Sequence, residues 1–281
     1  MLIGLNGATT MSAVLATDIK VASLAGFDCL EIWAEKLRKF LTTENIESLN
    51  DLFRNNKILP VSINSLENIT FQDENKFTKI RKECERLCKI AAVLKCQNIV
   101  VVPSPNLSGF SKEETKNEAV KVLRELSEIA QRYQIRLAFE FLGFKECSVN
   151  TLANCLEIVE EVGEKNIGLV LDTFHFFVGG SSLATLEQMD KEKLFIFHIN
   201  DAQDLPRDQL KDANRLLPGE GIIPLDQILE RLKKIGYNGI ISVELFNPEY
   251  WRWEPEELAK EAKTKTENIL KKYFSTTNEY E

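Results

Sequence analysis

Leu137-Ala-Phe-Glu-Phe-Leu142 is followed, once a helical stretch has closed at Gly163, by Ile167-Gly-Leu-Val-Leu-Asp172. Both runs are almost continuously apolar, which is how strands covered on both faces of a parallel sheet read. The unit recurs in both directions along the chain. Strands are expected at Leu2–Leu5, Cys29–Trp33, Leu59–Ile63, Asn98–Val102, Leu137–Leu142, Ile167–Leu171, Leu194–Ile199 and Ile240–Phe246. Between them, Phe77, Ile80, Cys84, Leu87, Cys88 and Ala91 fall on one helical stripe, as do Val122, Leu123, Leu126, Ile129, Ala130 and Tyr133. Ser111-Lys-Glu-Glu114 has the form of a capping box, and Pro255 suits a first helical turn. Gly26, Gly163 and Gly236 stand where left-handed helix caps need glycine. Eight such units in 281 residues predict an α/β fold, a single (β/α)8 TIM barrel forming one catalytic domain over 1–281, with 275–281 as a flexible tail. A doubly wound open sheet is the alternative, and the lack of a glycine-rich phosphate turn after the first strand counts against it.

Hydrophobic residues make up 44% and charged residues 28% of the chain, a balance that excludes a largely disordered or fibrous protein. Acids outnumber bases by 43 to 35, so no nucleic-acid partner is expected. No leader and no membrane span are expected either. Met1-Leu-Ile-Gly-Leu-Asn-Gly turns polar early without a basic leader, and no apolar stretch approaches the roughly 20 residues that cross a bilayer. The six cysteines contain no CxxC pair and read as reduced thiols of a cytoplasmic protein. Cys84 and Cys88 share a helix face, but their neighbours are plain core, so packing is expected there rather than a metal.

The chemistry lies where polar residues interrupt the strands. Glu140, Asp172, His198 and Glu244 each stand near the carboxyl end of one of four consecutive expected strands, the fifth to the eighth. In a barrel those ends converge on one pocket. Burying a carboxylate without a partner costs several kcal/mol, so the set calls for a neutralising partner. Three carboxylates and one imidazole suit one divalent ion, Mn²⁺, Zn²⁺, Co²⁺ or Mg²⁺, with positions left for substrate oxygens. Taken singly, each could instead bond a nearby loop amide. His175, three residues after Asp172, can return to the same pocket. Glu146 and Arg207 are candidates to grip substrate hydroxyls. Asn6, Trp33 and Asn64 end earlier strands and are candidates to line the other side. Trp251 and Trp253 are candidates for packing, for a face against a sugar ring or, with Tyr250, for a homo-oligomer contact.

These residues resemble the xylose-isomerase-like barrel superfamily, which includes sugar isomerases, ketose 3-epimerases, inosose-processing enzymes and family-2 AP endonucleases. Within it the chain is most similar to the 2-keto-myo-inositol (inosose) isomerases. The stretches that carry the resemblance are Asn6-Gly-Ala-Thr-Thr10, Leu137-Ala-Phe-Glu-Phe-Leu-Gly143, Val149-Asn-Thr151, Gly168-Leu-Val-Leu-Asp-Thr-Phe-His-Phe176, Phe197-His-Ile-Asn-Asp201 and Val243-Glu-Leu-Phe-Asn-Pro-Glu-Tyr250. The resemblance implies that Glu140, Asp172, His198 and Glu244 hold the ion, that Glu140 and Glu244 double as acid and base, and that His175 meets a substrate oxygen. Glu146 matches a glutamate of the ketose epimerases at the same six-residue spacing. Those enzymes place a substrate-binding arginine shortly after the ligand histidine, and Arg207, nine residues on, is the candidate for it.

The endonuclease branch needs a three-metal cluster with several more histidines, and this chain has two. The expected activity is therefore a metal-dependent isomerisation of a cyclic polyol ketone, 2-keto-myo-inositol to 1-keto-D-chiro-inositol. A ketose 3-epimerase and an inosose dehydratase are the alternatives on the same site. A non-catalytic barrel would have no use for four buried donors. No phosphate-binding signature follows the seventh and eighth strands, so an unphosphorylated substrate is expected.

Overall fold

Eight parallel strands close on themselves: β1 (Leu2–Asn6), β2 (Cys29–Trp33), β3 (Leu59–Leu66), β4 (Asn98–Val101), β5 (Arg136–Glu140), β6 (Ile167–Asp172), β7 (Leu194–Ile199) and β8 (Ile240–Val243), with β8 pairing back onto β1. This is the expected (β/α)8 barrel. The coordinates are those of a computed structural model that describes residues 1–106 and 109–274, so the expected tail at 275–281 lies outside the described residues.

Side chains alternate across each strand, and the two faces of the sheet bury two different clusters. Leu137, Phe139, Leu169, Leu171 and Phe197 face outward, into the large core shared with the helices. Val100, Ala138, Val170, Ile196 and Ile240 form a second cluster inside the barrel. The alternation fixes where the chemistry goes. Glu140 is two residues beyond Ala138, Asp172 two beyond Val170, His198 two beyond Ile196 and Glu244 four beyond Ile240. All four therefore continue the inward rows at the carboxyl end of the barrel.

The helices dock by their predicted stripes: Phe77, Cys84, Leu87, Cys88 and Ala91 are all buried on the helix Glu74–Leu94. Both halves of the capping box at Ser111 and Glu114 are present, and Pro255 opens the last helix, Pro255–Phe274. Gly26, Gly163 and Gly236 have φ of +79°, +74° and +72°, the left-handed region that glycine enters without a Cβ clash. Among the described residues no helix is long and apolar enough to cross a membrane.

Three strands stop earlier than their apolar runs suggest, β4 by one residue and β5 and β8 by two and three. Beyond β5, Leu142 N bonds Val149 O at 3.2 Å. Beyond β8, Leu245 N bonds Thr9 Oγ1 at 3.1 Å. Loop partners take the backbone groups that a ladder would have used, and Glu244 sits one residue past the last paired position.

Candidate metal centre

At the carboxyl end of the barrel, Glu140, Asp172, His198 and Glu244 are all buried, and each offers a donor atom within 4.8 Å of the others. His198 Nδ1 is the hub. It lies 3.1 Å from Glu140 Oε1, 3.4 Å from Glu244 Oε2 and 3.9 Å from Asp172 Oδ2. Hydrogen bonds fix two of the carboxylates from outside. Asn6 and Asn64 donate to Glu244 Oε1 at 3.0 and 2.9 Å. Asn200 Nδ2 and the His175 amide donate to Asp172 at 2.7 and 2.8 Å. Asn200 is itself held by the Thr173 hydroxyl.

Crowding of carboxylates with little water shows in the proton affinities. Burial, reinforced by the charges of Glu244 and Asp172, pushes the Glu140 carboxyl up to about 7 against the pull of His198. Burial alone would lower His198, yet the carboxylates around it, led by Glu244, Glu31 and Glu140, hold it well above the ordinary imidazole value. Asp172 is held low despite its burial, chiefly by Arg215. A cluster that keeps protons to balance its own charge is one that a divalent cation can neutralise instead. The donor set fits such an ion: hard oxygen donors with one nitrogen, with Asp172 and Glu244 held by second partners.

Arg215 is a charged residue of the site that the sequence did not single out. It is 1% exposed. Its Nη1 donates to Asp172 Oδ2 at 2.8 Å and Glu244 Oε2 at 3.0 Å, and its Nη2 to Asp212 Oδ1 at 3.0 Å. The guanidinium lies between the rings of Phe174 and Phe246, 4.9 and 5.2 Å from their centroids. Arg207, the arginine expected here, is exposed, and its guanidinium lies over the Phe177 ring at 4.6 Å, outside the cavity. The reason is local. Arg215 is carried back to the barrel mouth by a ribbon in which Asp201–Ala202 pairs antiparallel with Arg215–Leu216, whereas Arg207 lies on the arc between them.

A cavity of about 490 Å³ opens above the centre. Trp33, Asn64, Glu140, Glu146, His175, Arg215, Glu244 and Phe246 are among the residues that line it, so Trp33, Asn64, Glu146 and His175 stand where substrate contacts were expected. Asn6 does not line it. Fully buried, it bonds Glu244 at 3.0 Å, and it also approaches Glu31 at 3.2 Å, which makes it a support for the site. Trp251 donates Nε1 to Ala8 O, and Trp253 packs edge-on against Tyr250, both away from the cavity. Among the described residues the one cluster with metal-ligand geometry is the centre itself, and Cys84 and Cys88 lie in the core as expected.

The family described as xylose isomerase-like TIM barrel matches residues 19–268 of the chain. An inosose isomerase of Bacillus velezensis is 39% identical over 96% of this chain and 97% of its own length. An inosose isomerase of Halalkalibacterium halodurans is 40% identical, over 96% of each. A D-psicose 3-epimerase of Enterocloster bolteae is 25% identical over 81% of this chain and 75% of its own. Among solved structures, a crystal structure of IOLI protein with a binding zinc atom superposes with a TM-score of 0.96 at 38% identity, covering 98% of this chain and 100% of that one.

Proposed function

Because this chain belongs to the xylose isomerase-like TIM barrel family, we propose that it is a divalent-metal-dependent isomerase that interconverts 2-keto-myo-inositol and 1-keto-D-chiro-inositol. One observation carries the chemistry. Of the four donors, Glu140 and Glu244 line the cavity, while Asp172 and His198 are buried and do not line it. Two carboxylates from strands on different sides of the barrel can thus reach a substrate, and two groups cannot.

Glu140, Asp172, His198 and Glu244 would hold the ion. When bound, a divalent cation polarises a carbonyl and offsets the negative charge that develops on oxygen. The residues of the chain do the rest. The proton on a carbon next to a carbonyl is very weakly acidic, and one of the two glutamates removes it. That glutamate or the other returns a proton to the former carbonyl carbon once the enediolate has formed, while the proton of the adjacent hydroxyl passes to the former carbonyl oxygen. Arg215 can only donate, so its contact with His175 Nε2 at 3.0 Å makes that nitrogen the acceptor and puts the imidazole proton on Nδ1. Burial and the adjacent guanidinium lower the basicity of this ring. Among the described residues His175 Nδ1 has no hydrogen-bond partner, which leaves a neutral donor for a substrate oxygen. Among the described lining residues, Glu67, Glu140, Glu146, Asp212 and Glu244 face one arginine that is already paired, a balance that favours an uncharged polyol ketone over a phosphorylated one.

A ketose 3-epimerase is the second reading, favoured by the place of Glu146 on the cavity wall. Product identification by proton NMR decides between them. Zinc- or manganese-loaded protein with 2-keto-myo-inositol should give 1-keto-D-chiro-inositol. A dehydrated product would point to lyase chemistry, and an unchanged inosose beside an epimerised psicose would replace the proposal with the second reading.

A further inference from the structure

Below the centre, in the middle of the barrel, Glu31 is fully buried. Barrel interiors are packed with bulky apolar side chains, and a carboxylate there needs a reason. In register beside Glu31 stand Asn6 on β1 and Ser62 on β3, both small and polar. Ser62 donates its hydroxyl to Glu31 Oε2, and Asn6 Nδ2 lies 3.2 Å from Oε1. The remaining neighbour is decisive. Glu31 Oε1 lies 2.9 Å from His198 Nε2, on the far side of the ring from the three carboxylates gathered at Nδ1. The approach is off the ideal N–H line, so the contact is an ion-pair distance with no aligned hydrogen bond. Glu31 lies outside the four-donor cluster and does not line the cavity.

We infer that Glu31 is a positioning residue for the metal centre: it keeps the His198 proton on Nε2 and the ring turned so that the Nδ1 lone pair faces the three carboxylates. A histidine that binds an ion through one nitrogen is commonly anchored by a carboxylate on the other, which fixes its tautomer and raises its donor strength. Asn6 ties the two layers together, since the same amide touches both Glu31 and Glu244.

This inference rests on the metal-centre reading above, and its test separates the two. Zinc affinity is measured by chelator competition for the wild type, Glu31→Ala and Glu31→Gln. Long-range ¹H–¹⁵N spectra of the zinc-loaded proteins give the tautomers, and they are simple because the chain has only two histidines. Zinc binding should weaken by about 10–100-fold in Glu31→Ala and by less in Glu31→Gln, whose carbonyl oxygen still faces Nε2–H. The wild type should show His198 protonated at Nε2. Equal zinc affinity in folded Glu31→Ala overturns the positioning role while leaving the metal centre intact, and a purely structural role would lower the melting temperature without changing zinc affinity. A wild-type His198 protonated at Nδ1 overturns it without any variant. A wild type that binds no divalent ion removes both readings.

Discussion

Arg215 Nη1 and Asp172 Oδ2 lie 2.8 Å apart with both side chains buried, and the same guanidinium nitrogen reaches Glu244 Oε2 at 3.0 Å. The centre therefore has an internal cation that shares its negative charge with any ion the donors hold. Replacing Arg215 by methionine keeps much of the volume and removes the charge. Metal-free protein should lose about 3–5 kcal/mol of stability, because two buried carboxylates lose their partner. Zinc should recover part of that loss, so the variant's stability gap narrows when the metal is added. Urea melts with and without zinc measure both numbers.

Glu140→Gln and Glu244→Gln should each lower kcat by roughly 100–10,000-fold, the usual contribution of a positioned acid or base. Arg207→Ala should leave it unchanged, since that side chain is exposed and stacked on Phe177. Steady-state kinetics on the three variants, at zinc levels that saturate each, separates the groups.

Protons and metal compete at this centre. Burial raises Glu140 to about 7, and the surrounding carboxylates, led by Glu244, hold His198 well above its ordinary value against its burial. Both shifts are upward, so the metal-free protein keeps these protons to higher pH than free side chains would, with more of them bound as the pH falls, and an incoming cation must displace them. Apparent zinc affinity should therefore fall with falling pH through neutrality, by about tenfold per pH unit for each proton released. Calorimetry in buffers of different ionisation enthalpy counts the protons. An affinity constant between about pH 6 and pH 8 would contradict the sign.

Gly143 packs where a methyl group would meet the carbonyl of His175 and the amide nitrogen of Gly179. Gly143→Ala should displace the segment that carries His175, costing about 1–3 kcal/mol and reducing activity together with it. Thermal melts and kcat on one preparation check that the two move in step.

The barrel and its four donors were legible because they share one signal, a polar residue ending a run that is otherwise wholly apolar. Glu31 carries the same signal in Cys29-Leu-Glu-Ile-Trp33, but it falls mid-strand, where no rule of barrel ends points to it. Arg215 was hidden for a different reason. Spacing from His198 cannot rank Arg207 against Arg215 when the connection between them is a polar loop. What ranks them is tertiary. Asp201 accepts from the amides of Ala202, Gly219 and Ile223 at 2.9, 3.1 and 2.9 Å, tying the loop around Pro218-Gly219-Glu220-Gly221 to the end of β7 and setting the ribbon that returns Arg215. The buried pair of Lys36 with Asp18, 2.7 Å apart, works similarly at β1. Lys36 also holds the carbonyls of Gly7 and Thr10, the loop that follows Asn6. Neither Lys36 nor Asp18 stands out in a sequence that holds 35 basic and 43 acidic residues in all.

The most direct test of the account is a comparison of kcat/KM for 2-keto-myo-inositol with that for free psicose, fructose and tagatose, on zinc- or manganese-loaded protein and on protein stripped with chelator. The inosose should be preferred by at least about 100-fold, with turnover lost on stripping and restored by the ion. Equal or higher kcat/KM on a free ketose, or undiminished inosose turnover after stripping, would contradict the account.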